Sequence, residues 1–172
     1  MCGIAGIVSE HPSIYKDLPK MVSLLTHRGP DDEGIEYLKG AAFGHRRLSI
    51  IDLGSGHQPM FNASKSVVVV FNGEIYNFLI LKKQLEAEGR HFRTCSDTEV
   101  ILHLYEKYDE NCVKHLDGMF AFAIWDTTRK KLLLARDHMG QKPLFFCETP
   151  YGLAFASEVK SLLASNLVKR ET

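Results

Sequence analysis

Apolar residues along the chain follow two different spacings, which together predict strands and helices. The apolar run at residues 2–8 and the β-branched run at residues 66–71 each predict a buried strand. Residues 41–51 predict two short strands or one bent strand. The last third of the chain alternates apolar runs with turns, which predicts four more strands. These cover residues 120–126, 131–136, 144–147 and 153–156.

Helical spacing marks the first half of the chain. Residues 19–26 predict a helix that begins at Pro19. Its inward residues are expected to be Met21, Val22, Leu24 and Leu25. Asn77 is predicted to cap a helix over residues 78–88, which Gly89 ends. Phe78, Leu81 and Leu85 form the apolar face of that helix. Between the first helix and the next strand, residues 27–34 predict a loop rich in turns.

Two more helices complete the pattern. Ser96 and Glu99 have the spacing of a capping box, which opens a helix running to about Tyr108. Its apolar stripe is Val100, Ile101, Leu104 and Tyr105. A short helix is predicted over residues 158–164, beginning after Ser157. Helices at both ends of a strand-rich middle indicate an α+β fold with helices layered on sheet.

Size and charge limit the classes of function. The 172 residues fit one domain, residues 1–172, without repeats or a long linker. Twenty-one basic and 21 acidic residues cancel, which argues against binding to nucleic acid or to a membrane surface. No apolar run approaches the roughly 20 residues of a membrane span, and no signal peptide is recognised. We expect a cytoplasmic protein.

The cysteines indicate neither zinc nor disulfides. They are scattered, form no C-x-x-C pair, and are Cys2, Cys95, Cys112 and Cys147. We expect reduced thiols and no metal site. Cys2 itself has two interpretations. It is either a small buried hydrophobe beside a strand, or, once Met1 is removed, a nucleophile whose own α-amine is the base. An α-amine titrates at about pH 7.7–8, close enough to neutrality to accept a proton.

Polar motifs further along could complete a site around Cys2. In His45-Arg46-Arg47, adjacent side chains of a strand point to opposite faces, so one arginine can face a pocket and clamp a carboxylate. The alternative is a surface salt-bridging pair. Asn72-Gly73 follows a strand and could supply the side-chain and backbone donors of an oxyanion hole. Alone, this dipeptide more strongly indicates an ordinary turn.

Two other motifs contain acidic residues. Asp97 lies in the first turn of a predicted helix, where the helix dipole favours a carboxylate, but it could also bind an ammonium group. Asp137 and His138 suggest an acid–base pair. Because adjacent strand residues point apart, we favour a turn there with a buried structural pair between Arg136 and Asp137.

The order of these motifs is more specific than any one of them. Cys2 is followed by HRGPDDEG, HRRLSIID, NGEIYNF, SDTEVILHLY, DGMFAFAIWD, RDHMGQKPLFF and LAFASEVKSLL. This series resembles the glutaminase domain of glutamine-hydrolysing asparagine synthetases, from Cys2 to about Leu163. The resemblance implies a class II glutamine amidotransferase of the N-terminal nucleophile type. The implied fold is a four-layer α-β-β-α sandwich with two antiparallel sheets.

The same resemblance implies a role for each site residue. Cys2 would be the nucleophile, and Asn72 with Gly73 the oxyanion hole. Arg47 would bind the α-carboxylate of glutamine, and Asp97 its α-amine. The pocket would also be lined by Leu48, Ser49, Ile50, Ile51 and Glu74. A γ-glutamyl thioester on Cys2 would then be hydrolysed to glutamate, releasing ammonia.

The acceptor of that ammonia is expected elsewhere. Asparagine synthetases amidate aspartate in a second domain with a glycine-rich S-G-G-x-D-S loop, and neither this loop nor a P-loop occurs here. ATP and Mg²⁺ are therefore expected only in a synthetase domain or subunit, and this domain needs no cofactor. Three alternatives stay open. The ammonia could go to a sugar or another carboxylate, the chain could be an idle glutamine-binding module, and it could form a homodimer.

Overall fold

Two antiparallel sheets form the centre of the fold in the computed structural model, which describes residues 1–48 and 56–168. The strands are β1 (Gly3–Val8), β2 (Asp32–Leu38), β3 (Ala41–Arg47), β4 (Met60–Phe61), β5 (Val67–Ile75), β6 (Gly118–Asp126), β7 (Lys131–Arg136), β8 (Phe145–Thr149) and β9 (Gly152–Ala156). One sheet has the order β2-β3-β1-β9-β8, and the other has the order β4-β5-β6-β7.

Helices cover the outer face of each sheet. They are α1 (Leu18–Ser23), α2 (Phe78–Ala87), α3 (Asp97–Tyr108) and α4 (Val159–Leu162), with 3₁₀ helices over Pro12–Asp17 and Asp109–His115. Side chains of α1 and α4 pack on the five-stranded sheet, and side chains of α2 and α3 pack on the four-stranded sheet. A third apolar layer, which includes Ile4, Phe43, Val70 and Phe155, lies between the sheets. The expected α-β-β-α sandwich is confirmed.

Most predicted elements are present, with ends shifted by a few residues. The strands at residues 2–8, 120–126, 131–136, 144–147 and 153–156 correspond to β1, β6, β7, β8 and β9. The predicted helices correspond to α1, α2, α3 and α4. Part of the predicted strand at residues 41–51 is β3, and its residues 49–51 lie outside the described residues. No disulfide joins any two of Cys2, Cys95, Cys112 and Cys147 in the structure.

Three local predictions are wrong. The loop predicted at residues 27–34 gives way to β2 from Asp32 onward, because β2 pairs along its whole length with β3. Leu24 is 37% exposed, since α1 ends at Ser23 and the chain turns there. Asn77 does not cap α2. Its side chain instead bonds the main chain of His115 and Asp117, across the loop that precedes β6.

The predicted capping box is only half present. Ser96 Oγ accepts a hydrogen bond from the Thr98 backbone N–H and so caps α3. Glu99 does not return a bond to Ser96. Its carboxylate accepts from the backbone N–H groups of Arg93 and Thr94, and thereby holds the segment that leads into α3.

The Asn72-Gly73 dipeptide is not a turn. It lies inside β5, which continues to Ile75, and Gly73 is opposite Phe120 of β6. A β carbon at Gly73 would collide with the carbonyl oxygen of Met119. Glycine therefore allows β5 and β6 to approach closely, and this requirement prevails over the turn preference of the dipeptide.

Candidate active site

The core between the sheets changes from apolar to polar at one end. Side chains two residues apart on a strand share a face. Cys2 therefore shares a face with Ile4, Arg47 with Phe43, and Asn72 with Val70, and in each pair the apolar residue packs between the sheets. The three polar side chains therefore continue the apolar stripes of β1, β3 and β5 to the same end of the sandwich.

A cavity lies at this polar end. It is lined by Met1, Cys2, Arg47, Leu48, Gly56, Gln58, Phe71, Asn72, Gly73, Glu74, Ser96, Asp97, Thr98 and Lys142. Every predicted site residue that the structure describes is in this set, so residues up to 95 positions apart in sequence meet here. Ser49, Ile50 and Ile51 lie outside the described residues.

Cys2 is held through both its main chain and its sulfur. The Arg28 Nε donates to the Cys2 carbonyl oxygen at 2.9 Å, and Arg28 is itself paired with Glu158 at 3.0 Å. The backbone N–H of Leu48 donates to the Cys2 Sγ at 3.4 Å, and the thiol contacts the Leu48 carbonyl oxygen at 3.8 Å. Leu48 thus contacts the Cys2 sulfur through its main chain.

The thiol of Cys2 is protonated in this setting. Burial raises its pKa, and Asp97 raises it further. The hydrogen bond from Leu48, the N-terminal ammonium and Arg47 lower it without cancelling the effect of burial. A thiol with a raised pKa is a poor nucleophile until a base removes its proton, so any attack by Cys2 requires a base nearby.

The side-chain nitrogen of Asn72 is buried and unbonded among the residues that the structure describes. Its side chain is 1% exposed, and its Nδ2 has no hydrogen-bond partner within the described part of the chain. An unsatisfied buried donor costs about 1–3 kcal/mol. Because the residue also lines the cavity, its N–H groups are available to a bound acceptor.

The backbone of Gly73 offers a second donor. Main-chain N–H groups of a strand alternate between its two edges. The N–H of Phe71 donates to Gln58 Oε1 at 2.7 Å, and that of Ile75 donates to Asp97 Oδ2 at 3.0 Å, both on the edge away from β6. Opposite Gly73, Phe120 directs its own main-chain bonds to Asp137. The Gly73 N–H therefore points to the cavity edge of β5, between Gln58 and Asp97.

Asp97 and Arg47 place opposite charges beside these donors. Both are buried, at 6% and 7% exposure. Burial raises the pKa of the Asp97 carboxyl, and Glu74 adds to the increase, although hydrogen bonds from Ile75 and Thr98 oppose it. The neighbouring Arg46 points the other way, to Glu33 at 3.0 Å and to Thr26. One arginine thus lines the cavity and the other forms an outer ion pair, as strand alternation predicts.

Within the motif RDHMGQKPLFF, the Asp137 carboxylate holds a turn together. Asp137 accepts hydrogen bonds from the backbone N–H groups of Phe120, Met139, Gln141 and Lys142, which confirms the predicted turn. The expected pair with Arg136 is wrong. Arg136 is exposed, and no ion pair joins it to Asp137 in the described ranges. Main-chain donors satisfy the carboxylate because the turn wraps around it.

Sequence reasoning missed several buried polar residues at this site. Lys142 is 6% exposed, and its Nζ lies 3.2 Å from the Met1 sulfur. Gln58 and Thr98 are bonded to each other beside Asp97. Thr98 and Lys142 belong to the motifs SDTEVILHLY and RDHMGQKPLFF, but no local pattern predicts the roles of these residues, because the roles depend on contacts across the fold. Arg28 belongs to the HRGPDDEG motif, whose composition predicts only a loop rich in turns.

No helix among residues 1–48 and 56–168 is long and apolar enough to cross a membrane. Over the same ranges, no group of three or more His, Cys, Asp or Glu side chains could hold a metal ion.

Comparison with known proteins agrees with this geometry. Over residues 1–172, the sequence matches the profile of the glutamine amidotransferase domain family. The chain belongs to that family. The fold matches glutamine phosphoribosylpyrophosphate amidotransferase from B. subtilis, with a TM-score of 0.77 at 26% identity, over 95% of this chain and 43% of that one.

The sequence relatives are more specific. Asparagine synthetase [glutamine-hydrolyzing] 3 of Bacillus subtilis is 41% identical over 98% of this chain and 28% of its own length. Asparagine synthetase [glutamine-hydrolyzing] 2 of the same organism is 44% identical over 95% of this chain and 22% of its own. The enzyme of that name from Arabidopsis thaliana is 43% identical over 94% of this chain and 28% of its own. The chain thus spans less than a third of these relatives.

Proposed function

We propose that this domain hydrolyses glutamine to glutamate and ammonia, with Cys2 as the nucleophile. One observation carries the proposal: a thiol, a spare buried amide, a cation and a carboxylate meet in one cavity at the end of the inter-sheet core. These are the groups needed to attack an amide, stabilise its oxyanion and hold both ends of an α-amino acid.

The reaction would begin with the removal of Met1. Met1 lines the cavity, and its sulfur contacts Lys142. Its removal would clear this space and convert the Cys2 peptide nitrogen into a free amine. Because burial raises the pKa of the thiol, a base is required, and the new α-amine is attached to the same residue. We expect enzyme that retains Met1 to be inactive.

The chemical steps follow from the positions of the donors. The α-amine takes the Sγ proton as sulfur attacks the side-chain amide carbon of glutamine. The oxygen becomes an oxyanion, which Asn72 Nδ2 and the Gly73 N–H would bind. The ammonium then gives its proton to the leaving nitrogen, and ammonia departs as the C–N bond breaks. Water hydrolyses the thioester, which yields glutamate and restores the thiol.

Substrate selection would come from the charged residues. Arg47 is suited to the α-carboxylate of glutamine, and Asp97 to its α-ammonium. The Asp97 carboxylate accepts a hydrogen bond from the Ile75 N–H. Ile75 lies two residues beyond Gly73, so the two backbone positions are about 6.6 Å apart along the strand. An extended glutamine side chain can bridge such a separation. Leu48, Glu74 and, outside the described residues, Ser49, Ile50 and Ile51 would complete the pocket.

The names of the relatives support asparagine synthesis as the use of the ammonia. We propose that a synthetase domain or subunit accepts it and amidates aspartate, with ATP and Mg²⁺ bound in that partner and no cofactor in this domain. Amidation of a sugar or of another carboxylate is the second candidate, because the acceptor is chosen outside this domain.

Covalent labelling tests the proposal directly. A diazoketone analogue of glutamine should add one equivalent to Cys2, detected by intact mass and peptide mapping, and glutamine should yield ammonia. Cys2→Ala should lose both while keeping its unfolding transition. Cys147→Ala is the matched control, because Cys147 lies on β8 away from the cavity, and it should keep both. Reversible glutamine binding without labelling or turnover would instead identify an idle binding module.

A further inference from the structure

Gln58 joins the two elements that carry the site. It is 5% exposed, and both ends of its side-chain amide are bonded. Its Oε1 accepts from the Phe71 N–H of β5 at 2.7 Å, and its Nε2 donates to Thr98 Oγ1 of α3 at 3.3 Å. A buried amide satisfied at both ends fixes the distance between the groups that it bridges.

The bond to Phe71 replaces a missing part of the sheet. In the described part of the chain, the ladder between β4 and β5 consists of Met60 and Phe61, opposite Val69 and Val68. The next edge N–H of β5 belongs to Phe71, and here the Gln58 side chain accepts in place of a strand carbonyl. This ties β5 immediately before Asn72.

The bond to Thr98 secures the first turn of α3. Thr98 Oγ1 also accepts from Ser96 Oγ at 3.1 Å, and Ser96 Oγ in turn accepts from the Thr98 N–H. Ser96 and Thr98 are both buried and flank Asp97. Asp97 itself bonds the Ile75 N–H. Two bridges therefore join β5 to α3, one at Phe71 and one at Ile75, and the Gly73 N–H lies between them.

We propose that Gln58 is a positioning residue, which holds the ammonium-binding end of α3 at a fixed distance from the oxyanion donors of β5. The inference rests on the proposed function, because it assigns one end of glutamine to each element. A misplacement of about 1 Å at such a site can reduce the rate about 100-fold. Gln58 acts through Thr98 and Phe71 and need not touch the reacting atoms.

Three variants separate this role from simple loss of structure. Thr98→Val removes the hydroxyl that Gln58 contacts but leaves the Phe71 bond. Thr98→Ser keeps the hydroxyl and is the matched control. Gln58→Met has a similar length and removes both bonds. We expect Thr98→Val to raise the KM for glutamine about 10-fold with little change in kcat, and Thr98→Ser to restore it. Gln58→Met should reduce kcat/KM about 10- to 100-fold.

Two reagents provide a second measurement. The diazoketone analogue must be held by its amino-acid end to reach Cys2, whereas iodoacetamide has no such group. Thr98→Val and Gln58→Met should therefore slow labelling by the analogue while labelling by iodoacetamide stays at the wild-type rate. The Gln58→Met/Thr98→Val double variant should be impaired by less than the product of the two single effects, because both changes remove the Gln58–Thr98 bond, although Thr98→Val also removes the acceptor of Ser96 Oγ.

The outcomes distinguish the two proposals. Wild-type protein that takes no label at Cys2 contradicts the proposed function itself. Normal wild-type labelling, with an unchanged KM and an unchanged ratio of labelling rates in Thr98→Val, overturns the positioning role. A Thr98→Ser variant as impaired as Thr98→Val also overturns it. If Gln58→Met does not fold, the comparison of Thr98→Val with Thr98→Ser tests the positioning role by itself.

Discussion

The spare amide of Asn72 leads to an unusual prediction: its removal should abolish most activity without weakening the fold. Leucine at position 72 has a similar shape and no donor. Removal of one oxyanion donor lowers kcat about 100- to 1000-fold, which corresponds to about 2.7–4 kcal/mol of transition-state stabilisation. In the free protein the same change removes a buried donor that has no described partner. That donor costs about 1–3 kcal/mol, so we expect the free energy of unfolding to stay the same or to rise.

Asn62 provides the matched control. It is also a buried asparagine, but its Nδ2 donates to Ser64, Ser66 and Glu106, and its Oδ1 accepts from the N–H groups of Ser66 and Val67. Asn62→Leu breaks these bonds and should lower the free energy of unfolding by at least about 2 kcal/mol.

The assay combines urea unfolding with the rate of ammonia release for both variants, under conditions where each is folded. The reasoning is refuted if Asn72→Leu loses as much stability as Asn62→Leu, or if it retains a kcat within a few-fold of the wild type. In the first case the amide is part of the structural network, and in the second case it is not an oxyanion donor.

Three further changes test other parts of the site. Asp97→Asn keeps an acceptor for the Ile75 N–H but loses the negative charge. A hydrogen bond to a charged group contributes about 1.5–3 kcal/mol, so the loss of this charge should raise the KM for glutamine roughly 10- to 150-fold. Because burial raises the pKa of the Asp97 carboxyl, its charge is unfavourable in the folded state at neutral pH, and denaturant titration should detect no loss of stability. Gly73→Ala should reduce kcat and should lower the free energy of unfolding by about 1–3 kcal/mol, because the new β carbon meets the Met119 carbonyl oxygen. Unchanged values of both quantities would contradict the close approach of β5 and β6 at this position. For Glu99, burial alone would raise the pKa, but the His103 ring 3.8 Å away and hydrogen bonds from Arg93 and Thr94 hold it at about 2, against an ordinary 4.5. The ionised Glu99 carboxylate therefore stabilises the folded protein fully above about pH 4.5, and this contribution to the free energy of unfolding is lost as the pH falls towards 2. Glu99→Gln should be less stable than wild type at pH 7, and its unfolding free energy should decline less steeply over that interval.

The sequence predicted the long apolar elements well, because their burial patterns are local. Strand β2 was missed since it lies at the edge of its sheet and its seven residues include three acidic ones and a glycine, so its alternation of polar and apolar residues is weak. The two-residue strand β4 is too short for any period. Both β2 and β4 form because they pair with a neighbouring strand, and a local sequence pattern does not show where that strand lies.

The site residues were predicted by a resemblance, and the physical reasons differ between them. Alternation on β3 alone explains why Arg47 and Arg46 face opposite ways. For Asn72 and Gly73, local preference favours a turn, and only the pairing with β6 keeps them in a strand. Gln58 and Thr98 bear no local signal, because each is defined by a partner more than ten residues away.

The placement of the donors on a strand also matters for their chemistry. In a hairpin turn, the Asn72 amide and the Gly73 N–H would be bonded to water, and a substrate would have to displace it. In β5 both are fixed by the sheet, at the point where the inward face becomes polar. The same burial leaves the Asn72 Nδ2 without a partner in the described part of the chain and raises the pKa values of Cys2 and Asp97. The unbonded Asn72 nitrogen and the buried charge of Asp97 are unfavourable in the free protein, and under the proposed function the amide oxygen and the α-ammonium of glutamine would compensate them. This arrangement directs binding energy to the reacting atoms, because the sheet holds the donors in place before the substrate arrives.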